Sequence, residues 1–165
     1  MNKLLLAAAA AALTLPHAAV AQEGDPRTTA NPTLPVPDQL QLTRLIWSTM
    51  AAIHHANTSG NYSVLRDIGA TGFQVQNSAA QLAEVFRGIR EQRIDLSNTL
   101  LLGPTFTAPP TMVSADVLRL QGLFGLRPVA VQFDLFFQWS NGDWRLYGVS
   151  LQPVEMTTMQ PEDTR

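Results

Sequence analysis

The stretch VAVQFDLFFQWSNGDWRLYGVSLQ, residues 129–152, decides the fold. Asn141-Gly142 sits between two runs of alternating side chains. Both residues tolerate the positive φ that a type I′ turn demands, so the pair marks a two-residue β-hairpin. That turn sets Ser140 opposite Asp143 beside it, and Trp139 opposite Trp144, Phe137 opposite Leu146 and Leu135 opposite Gly148 on one face. The other face carries Gln138 opposite Arg145, Phe136 opposite Tyr147 and Asp134 opposite Val149.

Upstream, a four-residue loop Gly125-Leu126-Arg127-Pro128 would set Phe124 opposite Val129, Leu120 opposite Phe133 and Leu118 opposite Leu135. Arg119 then falls opposite Asp134 on the far face, and Gln121 opposite Gln132. The two turns agree on which side is apolar, and that consistency assigns Leu118, Leu120, Phe133, Leu135, Phe137 and Leu146 to the core. The far face mixes Phe136, Tyr147, Val149 and Leu151 with charges and amides. It reads as a subunit interface.

Before these strands the period changes. Leu96–Leu102 reads as a first strand held to an edge by Pro104, Pro109 and Pro110, and Val113–Phe124 as a second. Helices come earlier. Leu42, Leu45, Ile46, Met50 and Ile53 follow helical spacing over Gln39–Ala56, with Asp38 as cap and Asn57–Gly60 as stop. A short helix fits Tyr62–Ile68, and Phe73–Gln76 alternates like a short strand. Ser78-Ala79-Ala80-Gln81 is a capping box that opens a helix carrying Leu82, Val85, Phe86 and Ile89 on one stripe. Arg87, Arg90 and Arg93 fall off that stripe and read as a solvated face near a helix C-terminus, where cations suit the dipole. Helices first and an antiparallel meander after them define an α+β fold, with helices on one face of a curved sheet of four to five strands.

The ends read differently. Lys3, the apolar run Leu4–Leu15, Pro16 and the small residues Ala19-Val20-Ala21 make residues 1–21 a secretory signal peptide, cut between Ala21 and Gln22. Residues 22–37, with Pro26, Pro32, Pro35 and Pro37, read as a flexible linker. Residues 38–154 form the expected domain and 155–165 a disordered tail. Cleavage leaves 144 residues with ten Arg against 13 acidic groups, a net charge of −3. That balance, with its arginines scattered, argues against nucleic acid as a partner. No later segment resembles a membrane helix, so no stable membrane insertion is expected after cleavage. There is no cysteine, which excludes disulfides, thiolate nucleophiles and cysteine metal sites.

The order of elements, the segment Gly60–Ile68, the helix opened by Ser78 and the ending Asn141-Gly142-Asp143-Trp144-Arg145-Leu146-Tyr147-Gly148-Val149-Ser150 resemble the NTF2-like superfamily, also called cystatin-like or SnoaL-like. The likeness covers about Gln39–Gln152. It implies a cone in which helices wrap a bent sheet around a pocket. It also implies frequent dimers through the open sheet face, and members that range from isomerases, dehydratases and hydrolases to plain binding proteins. These motifs describe fold rather than activity.

Against that background the candidate chemistry is thin. Asp134 is the tempting carboxylate, but its place opposite Arg119 reads as a structural ion pair. His54 and His55 are adjacent on a helix, about 100° apart, and lack a third ligand, so no metal site is expected. No cofactor motif is present; Gly122-Leu123-Phe124-Gly125 lacks the needed glycines. The expected function is that of an exported, periplasmic or secreted, non-catalytic domain that binds a small apolar ligand or a protein partner. The pocket would be lined by Trp47, Met50, His54, Phe86, Phe133, Leu135 and Phe137. The alternatives are an enzyme using Asp134 or His54, and a structural homodimer joined by Phe136, Tyr147, Val149 and Leu151.

Overall fold

A computed structural model describes residues 34–156. The expected signal peptide over 1–21, most of the expected linker and most of the expected tail lie outside them. Leu34 packs on the core and donates its N–H to the Ala115 carbonyl at 3.3 Å, so this part of the expected linker belongs to the folded domain.

Five helices precede the sheet: α1 (Gln39–Ser59), α2 (Ser63–Asp67), α3 (Thr71–Gln76), α4 (Ala79–Val85) and α5 (Arg87–Glu91). Asp38 caps α1 by accepting from the Gln41 N–H at 2.8 Å. Gly60 ends it at φ 73°, a left-handed conformation that only glycine adopts freely. Leu42, Ile46, Met50, Ile53 and Ala56 form its buried stripe. The capping box at Ser78 is formed in both directions. Two expectations fail on this side. Phe73–Gln76 is helical, because Phe73 alone is anchored while Val75 stands 81% exposed, and Gln74 reaches back to the Gly69 carbonyl at 2.9 Å. Leu96–Leu100 is a 3-10 turn rather than a strand. Asp95 accepts from the Ser97 N–H at 2.8 Å, and Thr99 donates its hydroxyl to the Leu96 carbonyl at 2.6 Å. These local side-chain bonds compete with a strand ladder and prevail.

The sheet is open, curved and antiparallel, with five strands: β1 (Thr105–Phe106), β2 (Thr111–Met112), β3 (Val117–Phe124), β4 (Val129–Ser140) and β5 (Asp143–Glu155). The order is β1-β3-β4-β5, and β2 also pairs with β3. β3 starts later than Val113 because Val113 turns to donate to the Val117 carbonyl at 2.8 Å. The β3–β4 register sets Leu118 opposite Phe137, Leu120 opposite Leu135 and Phe124 opposite Val131, two residues from the expected pairing. The connection is longer because Leu126 folds inward and is buried. An even slip preserves the faces, so Leu118, Leu120, Phe133, Leu135, Phe137 and Leu146 are all buried together.

The Asn141-Gly142 hairpin pairs Ser140 with Asp143, Trp139 with Trp144, Gln138 with Arg145 and Phe137 with Leu146. A bulge follows. Phe136 faces Gly148 instead of Tyr147, Leu135 faces Val149, Asp134 faces Ser150 and Phe133 faces Leu151. One inserted residue moves every later side chain of β5 to the opposite face. Val149 and Leu151 therefore pack against the core and leave the expected interface, while Tyr147 remains outside, 40% exposed. Gly148 fits the bulge closely: a Cβ there would lie 3.2 Å from the Phe136 ring.

Candidate functional site

The expected pocket is filled by the residues meant to line it. Met50, Phe86, Phe133, Leu135 and Phe137 are all buried in one cluster. Phe133 meets Phe124 at 5.5 Å, and Phe86 stacks on Tyr62 at 6.1 Å. Large aromatic side chains interdigitate where the cone would need space. Trp47 lies at the surface of α1, away from that cluster.

Two concavities on the outside replace it. The larger is a cleft of about 560 Å³ between α1, α2 and the start of β5. Leu45, Ala52, Val64, Ile68, Phe137 and Trp144 line it, with Arg44, Ser48, Asp67, Asp143 and Arg145 also on its walls. Val64 is 64% exposed although apolar. Ser48 and Thr49 donate their hydroxyls to the Leu45 carbonyl at 3.2 and 2.8 Å, which quiets the polar groups of α1. The carboxylates are engaged as well. Arg66 holds Asp67 at 2.8 Å, and Asp143 accepts from the Trp144 N–H at 2.8 Å. The cleft thus offers apolar walls beside two arginines, Arg44 and Arg145, that pair with no carboxylate among the described residues, and the Arg145 Nε is buried without a hydrogen-bond partner among them.

The smaller pocket, about 230 Å³, lies between α1 and the end of α5. His54, Asn57, Arg90, Arg93 and Asp95 line it together with Ile89, Ile94 and Leu96. The helix end explains how the arginines arrive there. The Ile94 N–H donates to the Ile89 carbonyl at 3.1 Å and the Arg93 N–H to the Arg90 carbonyl at 3.0 Å, with Arg93 at φ 53°. This is a Schellman closure with arginine where glycine usually stands. Arg90 donates to the Tyr62 hydroxyl and lies 5.5 Å from its ring centroid; the hydroxyl in turn meets Asn57 Oδ1 at 2.5 Å. The Asn57 Nδ2 is buried and has no hydrogen-bond partner. Of the three arginines read as a solvated face, only Arg87 has carboxylate partners among the described residues, Glu84 at 3.0 Å and Glu91 at 3.9 Å. The signal for the pocket was the arginine following the helix. The link from Arg90 to Tyr62, 28 residues away, has no local signature.

His54 Nδ1 stands 4.0 Å from Asp95 Oδ1, too far for a hydrogen bond. Ser97, through its hydroxyl and then its N–H, holds the Asp95 carboxyl below its ordinary value, with a smaller contribution from His54. The Thr58 hydroxyl lines the same pocket and donates to the His54 backbone carbonyl at 2.9 Å rather than to its ring. Among the described residues, no group of three or more His, Cys, Asp or Glu side chains could hold a metal ion.

Asp134 lies on the far face of the sheet. Both its oxygens accept from Arg119, at 2.9 and 2.6 Å, although Arg119 stands in register with Phe136 and Gln121 with Asp134. The hydrogen bond with Asp134 holds the Arg119 guanidinium more firmly protonated than usual. Arg119 also covers the Phe136 ring at 5.2 Å, while Gln138 donates to Asp116 at 2.9 Å. The result is a pinned polar mosaic with Phe136 and Tyr147 among its members. No described helix is long and apolar enough to cross a membrane. Comparison with protein-family models, with curated proteins and with solved structures finds no match.

Proposed function

We propose that this chain is an exported, non-catalytic binding domain of the NTF2-like type, and that it takes a small apolar ligand in the outer cleft rather than inside the cone. The observation that carries this reading is the exposure of Val64 and Ile68 into the same cleft as Leu45 and Phe137. Apolar side chains left open in a concavity gain about 25 cal/mol for each Å² a ligand covers. The non-catalytic part rests on the side chains: Asp134 has both oxygens engaged on the open sheet face, and the Thr58 hydroxyl near His54 is committed to a backbone carbonyl. Export rests on residues 1–21 and leads to the periplasm or beyond the cell.

The test is native mass spectrometry of the protein after incubation with lipids and small metabolites. Retention of an apolar compound by the wild type, and its loss in Val64→Asp, is the expected result. Val64 is exposed, so the variant leaves the core intact. A panel in which nothing is retained, or equal retention by the variant, refutes the cleft.

A second reading, homodimerisation through the far face, is favoured by the way Asp134 and Phe136 hold Arg119 in place. Side chains already fixed lose less conformational freedom when a partner arrives.

A further inference from the structure

We infer that the pocket between α1 and the end of α5 binds a small carboxylate, at a site separate from the apolar cleft. Three donor-bearing side chains, Asn57, Arg90 and Arg93, line it. Asn57 Nδ2 is buried without a partner, and its orientation is set by the hydrogen-bond chain beside it. Arg90 donates to the Tyr62 hydroxyl, so the phenol proton goes on to Asn57 Oδ1. A flipped amide would strand that proton. The orphan group is therefore the amide N–H₂, and it needs an oxygen.

Arg90 and Arg93 line the same pocket, and neither pairs with a carboxylate among the described residues. Arg90 spends one donor on Tyr62 and keeps the rest of its fork. The titratable groups on the walls are His54, Arg90, Arg93 and Asp95. Two guanidinium groups stand against the single carboxylate of Asp95, which also accepts from the Ser97 N–H, so the balance of charge favours an anion. Ile89, Ile94 and Leu96 complete the lining and suit a short apolar tail. A volume of about 230 Å³ admits an acid of a few heavy atoms. The unusual φ of Arg93 belongs to the same picture: the chain accepts arginine at a glycine position, and that side chain serves the pocket.

The experiment is a titration of 15N-labelled protein with butyrate at constant ionic strength, with butyramide as the neutral control, read at the Asn57 side-chain amide. A saturable shift with butyrate and none with butyramide is expected. Arg93→Gly should weaken butyrate binding about tenfold, the scale of one charge-assisted contact. Asn57→Asp, which keeps an acceptor for Tyr62 but repels an anion, should abolish it. No saturable response, an equal response to butyramide, or unchanged affinity in Arg93→Gly overturns the site. A fold failure in Asn57→Asp does not confuse the result, because glycine is at ease at position 93. Neither outcome bears on the cleft, whose probes are apolar and whose variant lies on α2.

Discussion

Replacing Arg93 with glycine should make the protein more stable. Arg93 occupies the left-handed region at φ 53°, one residue past the helix end, and the backbone bonds around it require that conformation. An L-residue there costs about 1–2 kcal/mol, because Cβ crowds the following carbonyl. Glycine removes that cost but adds freedom to the unfolded chain, which takes back about 0.5–1 kcal/mol. The net gain is about 0.5–1 kcal/mol, or roughly 2–4 °C in Tm for a domain of this size. Arg93→Ala is the control: it deletes the guanidinium but keeps Cβ, and it should show no gain. Urea denaturation and thermal melts of the three proteins at neutral pH decide the matter. A glycine variant no more stable than the alanine variant would refute the claim that backbone strain is held at this position.

Two further outcomes are expected. Asp116 accepts from Gln138 and from Ser114, both at 2.9 Å, and these bonds hold its carboxyl below the ordinary value of 3.8. A depressed folded value gives stability that is present above pH 3.8 and lost as pH falls through the folded value. Urea midpoints at pH 6 and pH 3 should therefore drop further for the wild type than for Asp116→Asn, and equal drops would discard the linkage. Tyr147→Arg tests the dimer reading: sedimentation should show the wild type as a dimer and the variant as a monomer, and a dimer in both removes the far face from consideration.

The hairpin was legible because Asn141-Gly142 admits few alternatives, and the register through Leu146 follows from it. The bulge was not read, although its trace is there. Trp144 and Leu146 are apolar at even positions, Val149 and Leu151 at odd ones, and Ser150 and Gln152 turn polar. That change of parity marks an inserted residue. Phe73–Gln76 misled because a four-residue alternation fits one turn of helix with a single anchor equally well. The expected pocket failed for a different reason. Apolar residues facing inward look the same in sequence whether they line a void or fill it, and only packing separates the two. The Arg90–Tyr62–Asn57 chain was out of reach because its members meet through tertiary folding. Arg93 alone stood in plain view, as a residue just beyond a helix where glycine was due.

The Ala70 N–H donates to the Leu146 carbonyl at 2.8 Å, and this bond at the rim of the sheet has a consequence for solubility. β5 is the outermost strand of the described sheet, and a strand of 13 residues at a border is a template on which further copies could stack into fibres. Ala70 occupies that border near one end. Near the other, Pro153 sits within the paired stretch without breaking it, so its nitrogen faces away from β4 and offers a newcomer no donor. Among the described residues, the short run between them is where that border stays open to runaway polymerisation.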